Sequence, residues 1–523
     1  EKEEGEEKVD EIEINPEGLQ RRIVALGAKS DNHLALVGGP AGSVFIATPG
    51  DEGVDLHKYE VEEDEATEYL PGLQRVATSS NGLHMLYQKG GWAISSTSAK
   101  PNPGDDGITT NMRIKVDPQG EYQQIFKEAW RYMRDFLYVE NVHGAPWDDV
   151  WNWYSPWVDQ VRHRTDLNYV LDILSGEVAI GHSYVAGGDM PDLDRVGVGL
   201  LGADFEIVRG NYRIKKIYTG ESWNPELTGP LASPGLDVAE GDLILAVNGQ
   251  EVQAGDNIYA LFEETVGRST RLTVNDQVDM TNAREVNVVP TGSENALRRF
   301  EWIENNRRKV DEMSNGKLAY VYVPNTAGAG FTYFNRYYFA QQDRKGVVID
   351  ERNNGGGSAA DYMIDVMSRK LFGYFNSAAG DRRPWTTPIA GIWGPKVMII
   401  NERAGSGGDL LPYMFREAEL GPLVGTRTWG GLVGTWDTPP FIDGGRFVAP
   451  RGGFFDVDGE WAVEGEGIAP DIEVIQDPKS VMSGQDPQLE AAVGEALRLL
   501  ETQEVIHKKE PAAPVRYKRP GLR

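Results

Sequence analysis

The chain has 523 residues, and its 52 Lys+Arg against 80 Asp+Glu leave a net charge of −28 at pH 7, with 40% hydrophobic residues and no cysteine. At roughly 100–200 residues per domain this is about three or four folded domains rather than a disordered chain. The negative balance argues against nucleic acid or anionic lipid as the main partner, no apolar run reaches the roughly 20 residues of a membrane span, and disulfides, thiol nucleophiles and cysteine metal sites are excluded.

The sequence begins at Glu1 rather than Met, so a fragment is expected, with any signal peptide upstream. Residues 1–17 read as an acidic linker. Over 18–105, short alternating segments (Ile23–Leu26, His33–Leu36, Ser43–Ala47, Leu73–Ala77, His84–Gln88, Trp92–Ser95) are broken by turns such as "GGPAG" and "SSNG". Strands at this spacing predict a blade and a half at the end of a β-propeller.

Residues 106–185 read as a helical module. Gln123–Tyr138 sets Ile125, Phe126, Ala129, Trp130, Met133 and Leu137 on one face; Trp147–Val161 is aromatic-rich; Thr165–Leu174 is a helix capped by Thr165. Residues 186–292 are strand-rich. "GDLILAVNGQEV" (Gly241–Val252) is a strand, a tight Asn248-Gly249 turn and a strand, and Gly197–Ala203 is a glycine-apolar loop. Together they resemble a PDZ domain, whose loop offers N–H groups to a peptide carboxylate; a docking spacer is the equal alternative.

Over 293–485, apolar runs (Lys317–Val323, Gly346–Asp350, Lys396–Asn401, Pro422–Gly425) alternate with helices, which predicts an α/β layer with parallel strands. Residues 486–523 are a helix and a basic tail. The fold class is therefore multidomain α+β. Two strand-end loops could carry chemistry. "NNGGGS" (Asn353–Ser358) brings backbone N–H groups to a helix start, suited to an oxyanion or a phosphate, though without P-loop or GxGxxG spacing. "AGSGGD" (Ala404–Asp409) presents Ser406 at a helix start, although Ala404 breaks the strict G-x-S-x-G pattern. A third stretch, Trp461–Asp471, sets carboxylates between glycines. Of seven histidines, His182 lies in a short apolar run after a helix, and His143 in a "VHGAPW" loop stays open as a base. HExxH and Cys/His ligand clusters are absent, so no metal and no cofactor is expected.

"NNGGG", "NERAGSGGD", "GTRTWGG" (Gly425–Gly431) and "EGEGIAPDIEV", in this order and spacing, resemble the tricorn proteases, within the serine peptidase clan of the C-terminal processing peptidases. The module order fits too, and the catalytic domain would be crotonase-like. The resemblance implies Ser406 as nucleophile, His182 as base, Glu464 as the closing carboxylate, and the Gly357 and Gly407 amides as oxyanion hole. It implies oligopeptide substrates, a homo-oligomer (hexamer) and the cytoplasm, with a periplasmic or secreted location left open by the missing start. Two positions depart from the family's best-known form. Gly181 stands where a serine bridges base and glutamate, leaving Ser183, a water or a direct contact as the relay. Phe375 stands where an acidic residue favours basic P1 side chains, so apolar or aromatic P1 residues are expected. The competing readings are a catalytically impaired peptide-binding scaffold using the PDZ-like module, and, more weakly, an acyl-CoA enzyme of the crotonase kind.

Overall fold

The computed structural model describes residues 15–101, 107–110, 112–113, 115–377, 384–436, 438–503, 505 and 507–517. The chain divides into two units, Glu1–Val116 and Asp117–Arg523. Most of the acidic linker expected at 1–17, the Pro101–Asp106 linker beyond Pro101, and the tail residues Lys518 and Arg519 lie outside the described residues.

In the first unit two antiparallel sheets each run in chain order. One holds Ala35–Gly38, Ser43–Gly50, Gly53–Glu60 and Glu65–Leu73; the other holds Arg75–Thr78, His84–Gln88, Trp92–Ser96 and Gly107–Ile108. This is two four-stranded sheets rather than a blade and a half. The strands Gly53–Glu60 and Glu65–Leu73 escaped the sequence reading because their outer positions are charged. Their inner positions (Leu56, Tyr69, Leu70, Leu73) join Phe45, Met85 and Tyr87 in one core. Ile23–Leu26, expected as a strand, is irregular and pairs with no strand among the described residues; Ile23 and Val24 are exposed.

The second unit begins with helices Pro118–Phe136, Trp147–Val158 and Arg164–Gly176. Their faces bury Ile125, Phe126, Met133, Val150, Leu167 and Leu171, together with Phe441, Phe447 and Ala449 from far downstream. Trp130 and Trp147 donate their indole N–H groups to each other's carbonyls at 2.8 and 3.0 Å, so these tryptophans are core. The third helix is capped by His163, not Thr165: His163 Nδ1 accepts the Thr165 N–H at 3.2 Å and Asp166 accepts the His163 N–H at 3.2 Å.

A sheet follows in the order Ala203–Val208, Asn211–Ile217, Leu243–Val247, Thr270–Asn275, Arg284–Val288, all antiparallel, with Gln250–Glu251 also on Leu243–Val247. Asn248 and Gly249 (φ 51° and 84°) make the tight turn their sequence predicts. Last comes a five-stranded parallel sheet: Leu318–Tyr322, Gly346–Asp350, Lys396–Ile400, Leu423–Gly425, Ile472–Glu473. The first three strands are buried at every residue, which is why they read as unbroken apolar runs. Helices Asn295–Met313, Gly328–Ala340, Ala360–Met367, Gly407–Glu417 and Pro487–Gln503 cover this sheet. The first two were not legible in the sequence; nearly half of Asn295–Met313 is charged, and it buries only Leu297, Ile303, Asn306 and Val310.

Chain segments far apart in sequence are tied together here. Tyr184–Ala186, just after His182, pairs antiparallel with Arg446–Val448. Beside it Arg164 and Asp443 form an ion pair at 2.5 Å, their side chains 1% and 4% exposed. These contacts carry the segment bearing His182 onto the α/β layer.

Candidate active site

The two glycine loops leave the carboxyl ends of adjacent parallel strands, Gly346–Asp350 and Lys396–Ile400. In open α/β sheets this is where ligands bind. Ser406 caps the helix Gly407–Glu417 with φ 58°, a left-handed conformation that costs a non-glycine residue about 1–3 kcal/mol and persists only where its surroundings enforce it. Its surroundings do so. The Ser406 N–H donates to Asp409 Oδ2 and to the Gly431 carbonyl, each at 2.9 Å.

The packing around this turn requires glycine. A Cβ on Gly356 would stand 2.6 Å from Ser406 Cβ, and one on Gly407 would stand 2.7 Å from the Gly357 nitrogen. Gly357 and Gly407 are therefore in direct contact beside the serine. Neither of their amides donates to any group among the described residues. Two free N–H groups at a helix start beside a hydroxyl can bind a developing oxyanion.

His182 is 8% exposed and has φ 60°. Its ring meets Trp429 edge-on at 5.1 Å and Tyr184 at 5.9 Å. Trp429 also lies against the backbone of Gly405, where a Cβ would come within 2.5 Å of the indole, so one ring touches both the imidazole and the serine turn. Burial lowers the His182 pKa, while the charges of Glu464 and Asp409 pull it back up. A base held neutral in this way is ready to accept a proton. Its Nδ1 is buried with no hydrogen-bond partner, and among the described residues no hydrogen bond joins His182 to Ser406 or to Glu464.

Glu464 does not reach the ring. Its Oε1 accepts the N–H of Gly181 at 3.1 Å, and its Oε2 accepts those of Leu432 and Val433 at 2.6 and 2.8 Å. The carboxylate thus ties the backbone just before His182 to the backbone at Leu432 and Val433. Ser183 is not a bridge either: its hydroxyl donates to the Val448 carbonyl at 3.3 Å. Of the three expected relays, the direct one and Ser183 are absent here for these geometric reasons. His143, left open by the sequence, is structural, with Nδ1 on the Val178 carbonyl and Nε2 on the Tyr138 hydroxyl, both at 2.8 Å. Phe375 lies on a separate hairpin, Gly373–Phe375 with Trp385–Thr387, 55% exposed and stacked on Trp385 at 6.1 Å.

The sequence reading missed Asp409. It is fully buried and accepts N–H groups from Ser406 (2.9 Å), Gly430 (2.8 Å) and Gly431 (3.1 Å), pinning the serine turn to the "GTRTWGG" segment. Burial raises its carboxyl above the usual range. The signal was present as Ser406 followed three residues later by an acid, the spacing of a helix capping box.

In the PDZ-like sheet the glycine loop is already occupied. The Gly202 and Ala203 N–H groups donate to Glu294 Oε1 at 2.7 and 3.3 Å, and those of Gly199 and Leu200 donate to the Phe262 and Thr291 carbonyls at 2.8 Å each. A peptide carboxylate would have to displace the chain's own buried Glu294, which disfavours the scaffold reading.

A serine on a strained helix start, two free amides and an imidazole from another module, on an α/β chain carrying a PDZ-like sheet, define the class of PDZ-bearing serine peptidases. Residues 317–474 match peptidase family S41, residues 199–293 the tricorn protease PDZ domain, and residues 118–176 the tricorn protease C1 domain. The chain is 31% identical to tricorn protease homolog 1 of Streptomyces coelicolor over 96% of its own length and 48% of the relative's. It is 30% identical to the tricorn protease of Thermoplasma acidophilum over 92% of its own length and 44% of the relative's. A crystal structure of the tricorn protease superposes with a TM-score of 0.82 at 28% identity, covering 90% of this chain and 47% of that one. The chain belongs to the tricorn protease family. It spans about half the length of these relatives. Among the described residues no helix is long and apolar enough to cross a membrane.

Proposed function

We propose that this chain cleaves oligopeptides through an acyl-enzyme. Ser406 Oγ attacks the scissile carbonyl, and His182 takes its proton and returns it to the leaving amine. The carbonyl oxygen, turned oxyanion, accepts from the amides of Gly357 and Gly407. Glu464 acts on the base without touching it, by fixing the Gly181 amide and by the field of its charge, which favours the imidazolium. The observation that carries this reading is the contact of Gly357 with Gly407 beside Ser406, both amides unpartnered.

The finer parts rest on the family relationship. Phe375 sets a P1 preference for apolar or aromatic residues, since it offers no charge to pair a cation. The working form is a homo-oligomer, a hexamer by that relationship, acting in the cytoplasm on peptides. A serine-reactive fluorophosphonate tests the core of the proposal: labelling of the wild type and none of Ser406→Ala supports it, whereas hydrolysis untouched by Ser406→Ala removes it. Faster cleavage after Arg than after Leu or Phe would refute the P1 assignment.

A further inference from the structure

The first glycine loop opens on a buried pair that the proton transfer does not use: Glu351 and Asn354, both 0% exposed. Asn354 reaches both halves of the site. Its side-chain Oδ1 accepts the Gly356 N–H at 2.9 Å, and its backbone carbonyl accepts the Gly405 N–H at 3.0 Å. Gly356 immediately precedes Gly357, one of the two free amides; Gly405 immediately precedes Ser406, and the other free amide, Gly407, follows it. Gly408 packs on the same asparagine, since a Cβ there would stand 2.7 Å from the Asn354 carbonyl oxygen and 3.0 Å from its Cβ.

Glu351 sets the orientation of that asparagine. The Gly356 N–H can only donate, so the amide oxygen faces it and the NH2 group faces Glu351, donating to Oε2 at 3.1 Å. The Asn354 N–H donates to the Glu351 carbonyl at 3.0 Å, and the Glu351 N–H donates to the Ile399 carbonyl at 3.1 Å, which roots the pair on the strand Lys396–Ile400.

The other carboxyl oxygen, Oε1, is buried with no partner. Burial holds the Glu351 carboxyl well above the usual range, against the pull of the Asn354 bond and with the charges of Asp409 and Asp350 adding to the rise. Asp350 is itself paired with Arg352 at 2.6 Å. A carboxyl kept neutral directs the amide without adding a second charge beside Asp409. An unpaired buried oxygen is destabilising, and replacing both partners by apolar groups of the same shape would remove the penalty. The fold keeps the polar pair where the amide it directs joins the oxyanion loop to the serine turn.

We propose that Asn354, oriented by Glu351, is a positioning residue that holds the Gly357 amide in register with the Ser406 turn. This rests on the serine mechanism, and its effect falls on kcat, because donors displaced by about 1 Å lose about 100-fold in rate. The test is peptide hydrolysis across pH by the full chain, with the folded fraction of each variant measured by urea denaturation. Asn354→Asp keeps the shape and the bond to Gly356 but sets a second carboxyl against Glu351, so the two hold one proton between them. Losing that proton as pH rises leaves like charges in contact and frees the loop. The expected result is a kcat that falls relative to wild type as pH rises, by about 100-fold at the alkaline end, with KM changed by less than about twofold. In Glu351→Gln/Asn354→Asp the glutamine NH2 donates to the aspartate, and kcat should return to within about tenfold of wild type at every pH. Asn354→Ala removes the amide without adding charge; it should lower kcat with KM unchanged, and it carries the test if Asn354→Asp does not fold. Wild-type kcat in Asn354→Ala, a loss accounted for by the unfolded fraction, a change in KM alone, or a double variant no more active than Asn354→Asp overturns the proposal. Hydrolysis untouched by Ser406→Ala removes the serine mechanism instead, so that variant tells the two failures apart.

Discussion

Replacing Gly181 with serine should improve the enzyme. Gly181 lies outside the left-handed backbone region, so a side chain is admissible there. A Cβ would stand 3.4 Å from Glu464 Oε1, 3.4 Å from Gly431 Cα and 3.3 Å from Trp429 Cη2. A Cβ–oxygen separation of that size sets a hydroxyl on it about 2.7 Å from the carboxylate, a normal hydrogen bond. The contacts with Trp429 and Gly431 are tight by only a few tenths of an ångström, which puts their cost at about 1 kcal/mol, the low end of the overpacking range. Against that, the hydroxyl gives His182 Nδ1, now buried without a partner, an acceptor for its proton; relieving an orphaned buried group contributes about 1–3 kcal/mol. The gain is largest when the ring is an imidazolium, so the net should appear as about a tenfold rise in kcat/KM. The pH dependence gives an independent readout. Burial lowers the wild-type His182 pKa, so the acid limb of kcat/KM should inflect below 6.5, the ordinary histidine value. In Gly181→Ser the limb should move to higher pH, because the new bond favours the charged ring. An unchanged or lower kcat/KM with an unmoved acid limb would refute the argument.

Asp409→Asn keeps the shape but turns an N–H donor toward backbone N–H groups in a fully buried site; we expect about 2–4 kcal/mol of lost stability in urea and fluorophosphonate labelling slowed about 100-fold. Wild-type behaviour on both counts would make Asp409 dispensable. Arg164→Met leaves Asp443 buried and unpaired between the helical module and the α/β layer, at a cost of about 3–5 kcal/mol; because the same contact seats the His182 segment, activity should fall further than stability alone predicts. Lys396 is 7% exposed, and burial pushes its ammonium from 10.5 down to about 8. The unfolded chain keeps that proton up to about pH 10.5, so stability should rise between pH 8 and 10.5. Lys396→Met should accordingly gain about 3 kcal/mol below pH 8 and nothing above 10.5, measured by denaturation at several pH values; a gain that does not depend on pH would contradict the assignment.

What the residues determine by themselves is local. The glycines around Ser406 and Gly357 announce close backbone approach, the unbroken apolar strands announce a parallel sheet buried on both faces, and the Asn248-Gly249 turn announces its hairpin, because each follows from steric limits acting over a few neighbours. The family's loops were recognisable for the same reason. What only the tertiary structure decided is who meets whom across hundreds of residues. That Glu464 would bond the Gly181 amide instead of the ring, that Ser183 would turn to Val448, and that Glu294 would fill the PDZ-like loop depend on where separate elements dock. Asp409 belongs with these. Its spacing from Ser406 was readable, but its bonds to Gly430 and Gly431 exist only because a buried carboxylate must collect donors from whatever backbone folding brings beside it.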